Sequence, residues 1–337
     1  MTDWTVAIGV DTHKGAHVAV ALDRLGGQIA SCTVNATIAG YRRLLVWATD
    51  LGRPVFGVEG CGSYGAGLVR FLETQRVLVY ECERPRRNER RRGTNDLIDA
   101  ALAARRVVTG EGLSLPRGGG RREQLRLLLV ERRGAVRART AALNQLSALV
   151  VTAPDPLRHR LAALSKHQLA RKAALLRSGS GAAADVLRRI ARRVQRLSEE
   201  ITEIDRDLTI LVTEIAPHLL TECGVGAVCA AQLLVSSGDP GRMASEASFA
   251  ALAGTTPVDA SSGKHQRHRL NRGGDRQLNW ALHVIALQRI HHHPETAAYY
   301  QHLLDAGKTT REARRCVKRT LARHFYRRLR PTPALTT

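Results

Sequence analysis

Arg91-Arg92-Gly93-Thr94-Asn95-Asp96-Leu97-Ile98-Asp99-Ala100-Ala101-Leu102 reads as the start of a helix, with Thr94 or Asn95 able to cap it and two carboxylates three residues apart. On a helix, positions i and i+3 share a face, so Asp96 and Asp99 point the same way. Two such charges about 4 Å apart repel by roughly 4 kcal/mol at an effective dielectric of about 20, and a hard divalent cation between them would relieve the repulsion. Acids in a first turn also suit the helix dipole with no ligand at all. Deciding between these readings requires knowing whether the chain brings further acids to the same place.

Upstream it supplies them. Val6-Ala7-Ile8-Gly9-Val10-Asp11 is an apolar run ending in an acid, and residues 17–22 and 28–34 read as two more strands, with Gly26-Gly27 as the turn. Residues 38–51 have helical spacing, Val55-Phe56-Gly57-Val58-Glu59 is a buried strand that again ends in an acid, and 64–74 is helical. Val77-Leu78-Val79-Tyr80 makes a fifth strand. The order βββαβαβ, followed by the helix at Asn95, is that of a ribonuclease H-like α/β fold. In such a sheet the ends of neighbouring strands meet at one edge, where Asp11, Glu59, Asp96 and Asp99 can converge.

The 337 residues, 44% of them hydrophobic, can build sizeable cores, and 52 Lys and Arg against 30 Asp and Glu leave a net charge of +22. That excess suggests a polyanionic partner, nucleic acid first of all. Between strand five and the Asp96 helix, Arg84, Arg86, Arg87, Arg90, Arg91 and Arg92 crowd positive charge beside the acids, as solvated surface or as phosphate contacts. Six cysteines form no C-x-x-C pair and are expected to be reduced. No apolar run reaches membrane-spanning length and the first residues lack a signal pattern, so the expected location is cytoplasmic and nucleoid-associated, with no membrane partner.

Apolar residues keep helical spacing from 123 to 151, with breaks at 153–156 and 178–181. Val186, Ile190, Val194, Leu197, Ile201, Ile204, Leu208, Leu211 and Ile215 then form a heptad-like seam long enough for a coiled coil, so self-association is expected alongside packing within one chain. Beyond Pro217, Gly224-Val225-Gly226 between two helices would let backbone N–H groups approach a phosphate, as in helix-hairpin-helix elements. Further on come Gly238-Asp239-Pro240-Gly241, Ala253-Gly254-Thr255-Thr256-Pro257, Ser261-Ser262-Gly263-Lys264 and Leu270-Asn271-Arg272-Gly273-Gly274-Asp275.

The three acidic blocks at 9–14, 57–64 and 94–100, with this C-terminal succession, resemble the DEDD insertion-sequence transposases, the "one-ten" family related to the Piv and MooV recombinases. The chain departs from that family's habits at Arg84, Cys223, Met243, Asp275 and Asn279. The resemblance implies a RuvC-like DEDD domain over 1–112, a helical linker and coiled coil over 113–215, and a mainly helical C-terminal transposase domain over 216–337. It implies that the four acids hold Mg²⁺, or Mn²⁺, and that Ser262 is the nucleophile, with Ser261 its neighbouring alternative. Lys264, Arg267, Arg269 and Arg272 surround that serine and could hold a scissile phosphate. The activity implied is DNA cleavage and rejoining through a phosphoserine, on double-stranded donor ends and target, with a bridge RNA as guide and a dimer or pair of dimers as the assembly. Two other readings remain: a metal-dependent junction endonuclease that uses water, and a noncatalytic nucleic-acid-binding derivative.

Overall fold

The computed structural model describes residues 4–82, 95–116, 120–238, 242–259, 268–269, 271 and 273–330. Two compact units emerge: residues 1–119 with 237–248 and 329–337, and residues 120–236 with 249–328.

The first unit is built on a mixed sheet. β1 (Val6–Thr12), β2 (Ala16–Leu22) and β3 (Gln28–Asn35) form an antiparallel meander, and β4 (Pro54–Glu59) and β5 (Val79–Cys82) lie parallel to β1 on its other side. With the two-residue β6 (Leu113–Ser114) the order is β3-β2-β1-β4-β5-β6. β1, flanked by strands on both sides, is buried along its whole length, whereas the edge strand β3 is mostly exposed. The first five strands and their helices follow the order expected from sequence; β6, only two residues long, offered no pattern to read.

Alternation along β1 and β4 divides the core in two. Ile8, Val10, Phe56 and Val58 face α1 (Ile38–Asp50) and α2 (Ala66–Thr74), meeting Leu44, Leu68 and Leu72. Full burial of each such Phe or Leu contributes about 1.5–3 kcal/mol. Ala7 and Val55 face the other way, onto Val107 of α3 (Asp96–Thr109). Asn95 caps α3 by accepting from Leu97 N at 3.0 Å, and Gly110, at φ +73°, ends it in the left-handed region.

The second unit is helical and dominated by α4 (Arg121–Val151) and α7 (Ala182–Ile215). Side-chain pairs Arg121–Glu214, Arg132–Asp205 and Arg193–Gln145 run in opposite chain directions, so the two helices are antiparallel. The heptad-like seam finds its partner inside the chain. Ile190 and Val194 pack with Leu143, Leu146, Leu169 and Ala173 of α4 and α6 (Lys166–Ala174), and Ile201, Ile204 and Leu208 are buried too. α5 (Asp155–Leu161) closes that core through Leu161.

The rest of the unit comprises α8 (Pro217–Leu220), α9 (Ala227–Ser237), α10 (Glu246–Leu252), the short β7 (Val258–Asp259) and β8 (His268–Arg269), α11 (Arg276–His292), α12 (Pro294–Asp305) and α13 (Thr310–Leu329), with α10 starting in the first unit. Among the described residues no helix is long and apolar enough to cross a membrane, and all six cysteines are free.

Candidate metal centre

Gly9 on β1 and Gly57 on β4 decide where α3 can lie. A Cβ at Gly9 would stand 2.0 Å from Ala100 O and 2.2 Å from Ala104 N, and one at Gly57 would stand 2.9 Å from Ala103 O. The helix backbone therefore rests directly on the sheet, over buried Ala100, Ala103 and Ala104. Two residues further along each strand, Asp11 and Glu59 emerge on the face that carries these glycines. Parallel pairing of Val10 with Val58 sets the two acids side by side. On α3, Asp96 lies one turn before Ala100 and Asp99 one turn before Ala103, so the first turn brings its carboxylates to the same edge.

His13 completes the cluster. Its Nε2 stands 3.1 Å from Asp11 Oδ2 and 3.3 Å from Asp96 Oδ2. Ligand atoms of Asp11, His13 and Asp96 all lie within 4.8 Å of one another, a spread that one cation could bridge. Glu59 and Asp99 fall outside this group of three. Glu59 is buried at the end of β4, and the Thr12 hydroxyl donates to its main-chain carbonyl at 2.8 Å, tying the two strand ends together. Asp99 lies near enough to act on Asp11 through its charge.

The electrostatics fit a cation. Burial pushes the Asp11 carboxyl above its ordinary range, His13 pulls it down, and Asp96 and Asp99 push it up again. A buried carboxylate crowded by two others gains from a positive ion, and a donor set dominated by carboxylate oxygen suits a hard divalent one. Sequence reasoning did not assign His13 a role. The signal was there, since an Asp-x-His step at a strand end can return both side chains to one face.

The other expected site residues divide into three groups. Arg84, Arg86, Arg87, Arg90, Arg91, Arg92, Ser261, Ser262, Lys264, Arg267 and Arg272 lie outside the described residues. Arg269 pairs with Val258 and His268 with Asp259, so β7 and β8 form a short antiparallel ladder. Gly224, at φ +78°, is pressed against α11, where a Cβ would meet Gln288 Cβ at 2.9 Å and Ile285 O at 3.3 Å, whereas Gly226 is exposed. Beside Gly224, the Glu222 carboxylate accepts from Arg289 Nη2 and Arg328 Nε at 2.6 Å each, lies 2.9 Å from His324 Nε2, and Arg289 Nε donates to Cys223 O. Burial would raise Glu222, but Arg328, His324 and Arg289 overcome it and bring the carboxyl down to about 2.

Two of the departures from family habit are structural. Asp275 caps α11 through Gln277 N and Leu278 N, and Asn279 Nδ2 donates to Ala253 O at 2.7 Å.

A mixed sheet whose parallel strands end in acids, faced by an Asp-x-x-Asp helix and followed by a helical body, is compatible with a DEDD-type transposase. Residues 8–153 match the DEDD transposase family of IS110, and residues 216–301 match the family described as transposase IS116/IS110/IS902. A 139-residue stretch is 31% identical to the insertion element IS110 uncharacterized 43.6 kDa protein of Streptomyces coelicolor, covering 40% of this chain and 34% of that protein. The chain belongs to the IS110 family of DEDD transposases.

Proposed function

We propose that the chain is a metal-dependent DNA recombinase of a mobile insertion sequence, with a RuvC-like first domain. The observation that carries this reading is the meeting of Asp11, His13 and Asp96 at the sheet edge, in a chain of this family. Asp11, Glu59, Asp96 and Asp99 would hold Mg²⁺, with Mn²⁺ as an alternative. When bound there, the ion supplies Lewis acidity and offsets negative charge at a phosphodiester. His13 holds Asp11 and Asp96 in register in the absence of the ion.

Ser262 is the nucleophile. Its Oγ forms the new bond to phosphorus, the P–O bond to the departing strand breaks, and that oxygen leaves as a hydroxyl bearing the proton the serine gives up. The phosphoserine link keeps the bond energy for rejoining. In the sequence this serine lies with Lys264 and Arg267 between the paired strands β7 and β8, and Arg269 and Arg272 follow. These cations and the arginines of 84–92 bind phosphates, as does the turn at Gly226. In this division 1–112 carries the acids, 113–215 is the helical linker and 216–337 carries the serine.

The substrates are double-stranded donor ends and target DNA, and the guide is a bridge RNA, for which the charge of +22 is favourable. The acting species is a dimer or a pair of dimers.

The test is a denaturing gel of end-labelled junction and target DNA incubated with purified protein, Mg²⁺ and RNA transcribed from the element's flanks. A protein-linked DNA band should appear with wild type, disappear with Ser262→Ala and with Asp11→Asn, and depend on the RNA. Free cleaved ends from both wild type and Ser262→Ala, with no linked band, would replace the serine mechanism with hydrolysis by water.

A further inference from the structure

The second unit holds a cavity of about 530 Å³ that neither the acids nor Ser262 accounts for. Its walls are the turn at Gly254–Pro257, Asn271, Tyr299 of α12 and one face of α13. Positive charge lines it through Lys308, Arg315 and Lys318, among others. Among the described residues that line it the only carboxylate is that of Glu312, and this is turned back on the start of α13, accepting from Thr309 N at 2.9 Å and Thr309 Oγ1 at 2.7 Å.

Lys318 is the telling residue. It is 8% exposed, and among the described residues its ammonium donates only to Asn279 Oδ1, at 2.8 Å. A buried ammonium matched, among the described residues, with one neutral amide and no carboxylate is costly to keep. Burial, and then the cations of Lys318 and Arg314, lower the half-buried His283 nearby. Thr256 Oγ1, in the turn that also lines the cavity, is buried and has no hydrogen-bond partner among the described residues. An anion entering the cavity would satisfy both.

The cavity is far larger than one phosphate group needs and falls in the range of small-ligand pockets. Tyr299, half exposed, supplies an aromatic ring, the kind of surface on which a nucleobase stacks whatever its identity. We propose that this cavity is a nucleotide subsite, taking one nucleotide lifted out of a strand, with its phosphate at Lys318, Arg315 and Thr256 and its base against Tyr299. A volume of this size has room for a single nucleotide.

Calorimetric titration of the full-length protein with dAMP, deoxyadenosine and inorganic phosphate, in EDTA to silence any metal site, tests this. dAMP should bind at one saturable site, phosphate more weakly, and deoxyadenosine at least tenfold more weakly than dAMP. Lys318→Met and Arg315→Ala should each weaken dAMP at least tenfold, and Tyr299→Ala should weaken dAMP while leaving phosphate unchanged. Arg137→Ala, exposed on α4, should change nothing. Lys318→Met disturbs a buried position, so Arg315→Ala with an unchanged melting curve is the deciding variant. Equal affinity of that variant and wild type for dAMP, or no saturable dAMP binding, would overturn the assignment. Neither result bears on the acid cluster or the serine, because no metal or strand cleavage enters the measurement.

Discussion

Asp11 carries a charge that the fold does not welcome. Burial and two neighbouring carboxylates raise its pKa, so the native chain holds that proton more tightly than the unfolded chain does. Its contribution to stability therefore declines as pH rises from the ordinary carboxylate value through the raised one. Asp11→Asn should raise the melting temperature of the metal-free protein at pH 7, and a further rise on adding Mg²⁺ or Mn²⁺ is expected in wild type and not in the variant; thermal melts with and without each ion read both effects. Glu222 is the opposite case. Held at about 2 by Arg328, His324 and Arg289, it stabilises the fold fully above its unfolded value of about 4.5, and that stabilisation is lost as pH falls toward 2. Glu222→Gln leaves Arg289, only 8% exposed in its side chain, without a counterion, and should cost roughly 2–4 kcal/mol in urea unfolding at pH 7. Asp11 was legible in the sequence because an acid that closes an apolar strand is a local pattern. The Glu222 cluster was not, since its partners lie 67, 102 and 106 residues away and no local spacing marks them.

At the scale of elements, the contact of α3 with the sheet is the sharpest constraint. Gly9→Ala puts a methyl carbon where Ala100 O already stands 2.0 Å away, so the helix must lift or the strand must bend. The expected cost is about 3 kcal/mol or more, since overpacking here meets backbone rather than a movable side chain. Metal-induced stabilisation should fall with it, because Asp96 and Asp99 travel with the helix. Gly15→Ala is the control: nothing lies within 4 Å of its Cβ, and its melting curve should match wild type. The strands and helices of the first unit were readable because each combines a clean period with a cap or a glycine. The seam of α7 was equally readable as a pattern, but a hydrophobic stripe does not name its partner, and here α4 and α6 cover it. α5 and α6 fall between the two loop signals at 153–156 and 178–181, where short helices lack the length to show a period.

At the scale of the molecule, the chain leaves the first unit at residue 119 and returns to it at 237–248. Arg242 secures the return: Nη2 meets Glu81 Oε2 at 3.0 Å and Nε donates to Leu115 O at 3.0 Å. Arg242→Ala should destabilise the first unit by about 1–3 kcal/mol, and hydrogen exchange should show the loss in β5 and β6 rather than in α4 or α7. The divisions near 112 and 215 that the family resemblance implied could not show such a return, because a contact from a distant segment leaves no periodic trace. The helix laid on Gly9 and Gly57 has a consequence for how this molecule can vary. The gauge that spaces the carboxylates is main chain on main chain at Gly9, with the Val107 side chain closing on the main chain of Gly57. Changes in the length or charge of the sequence between β5 and α3 therefore leave that gauge as it is.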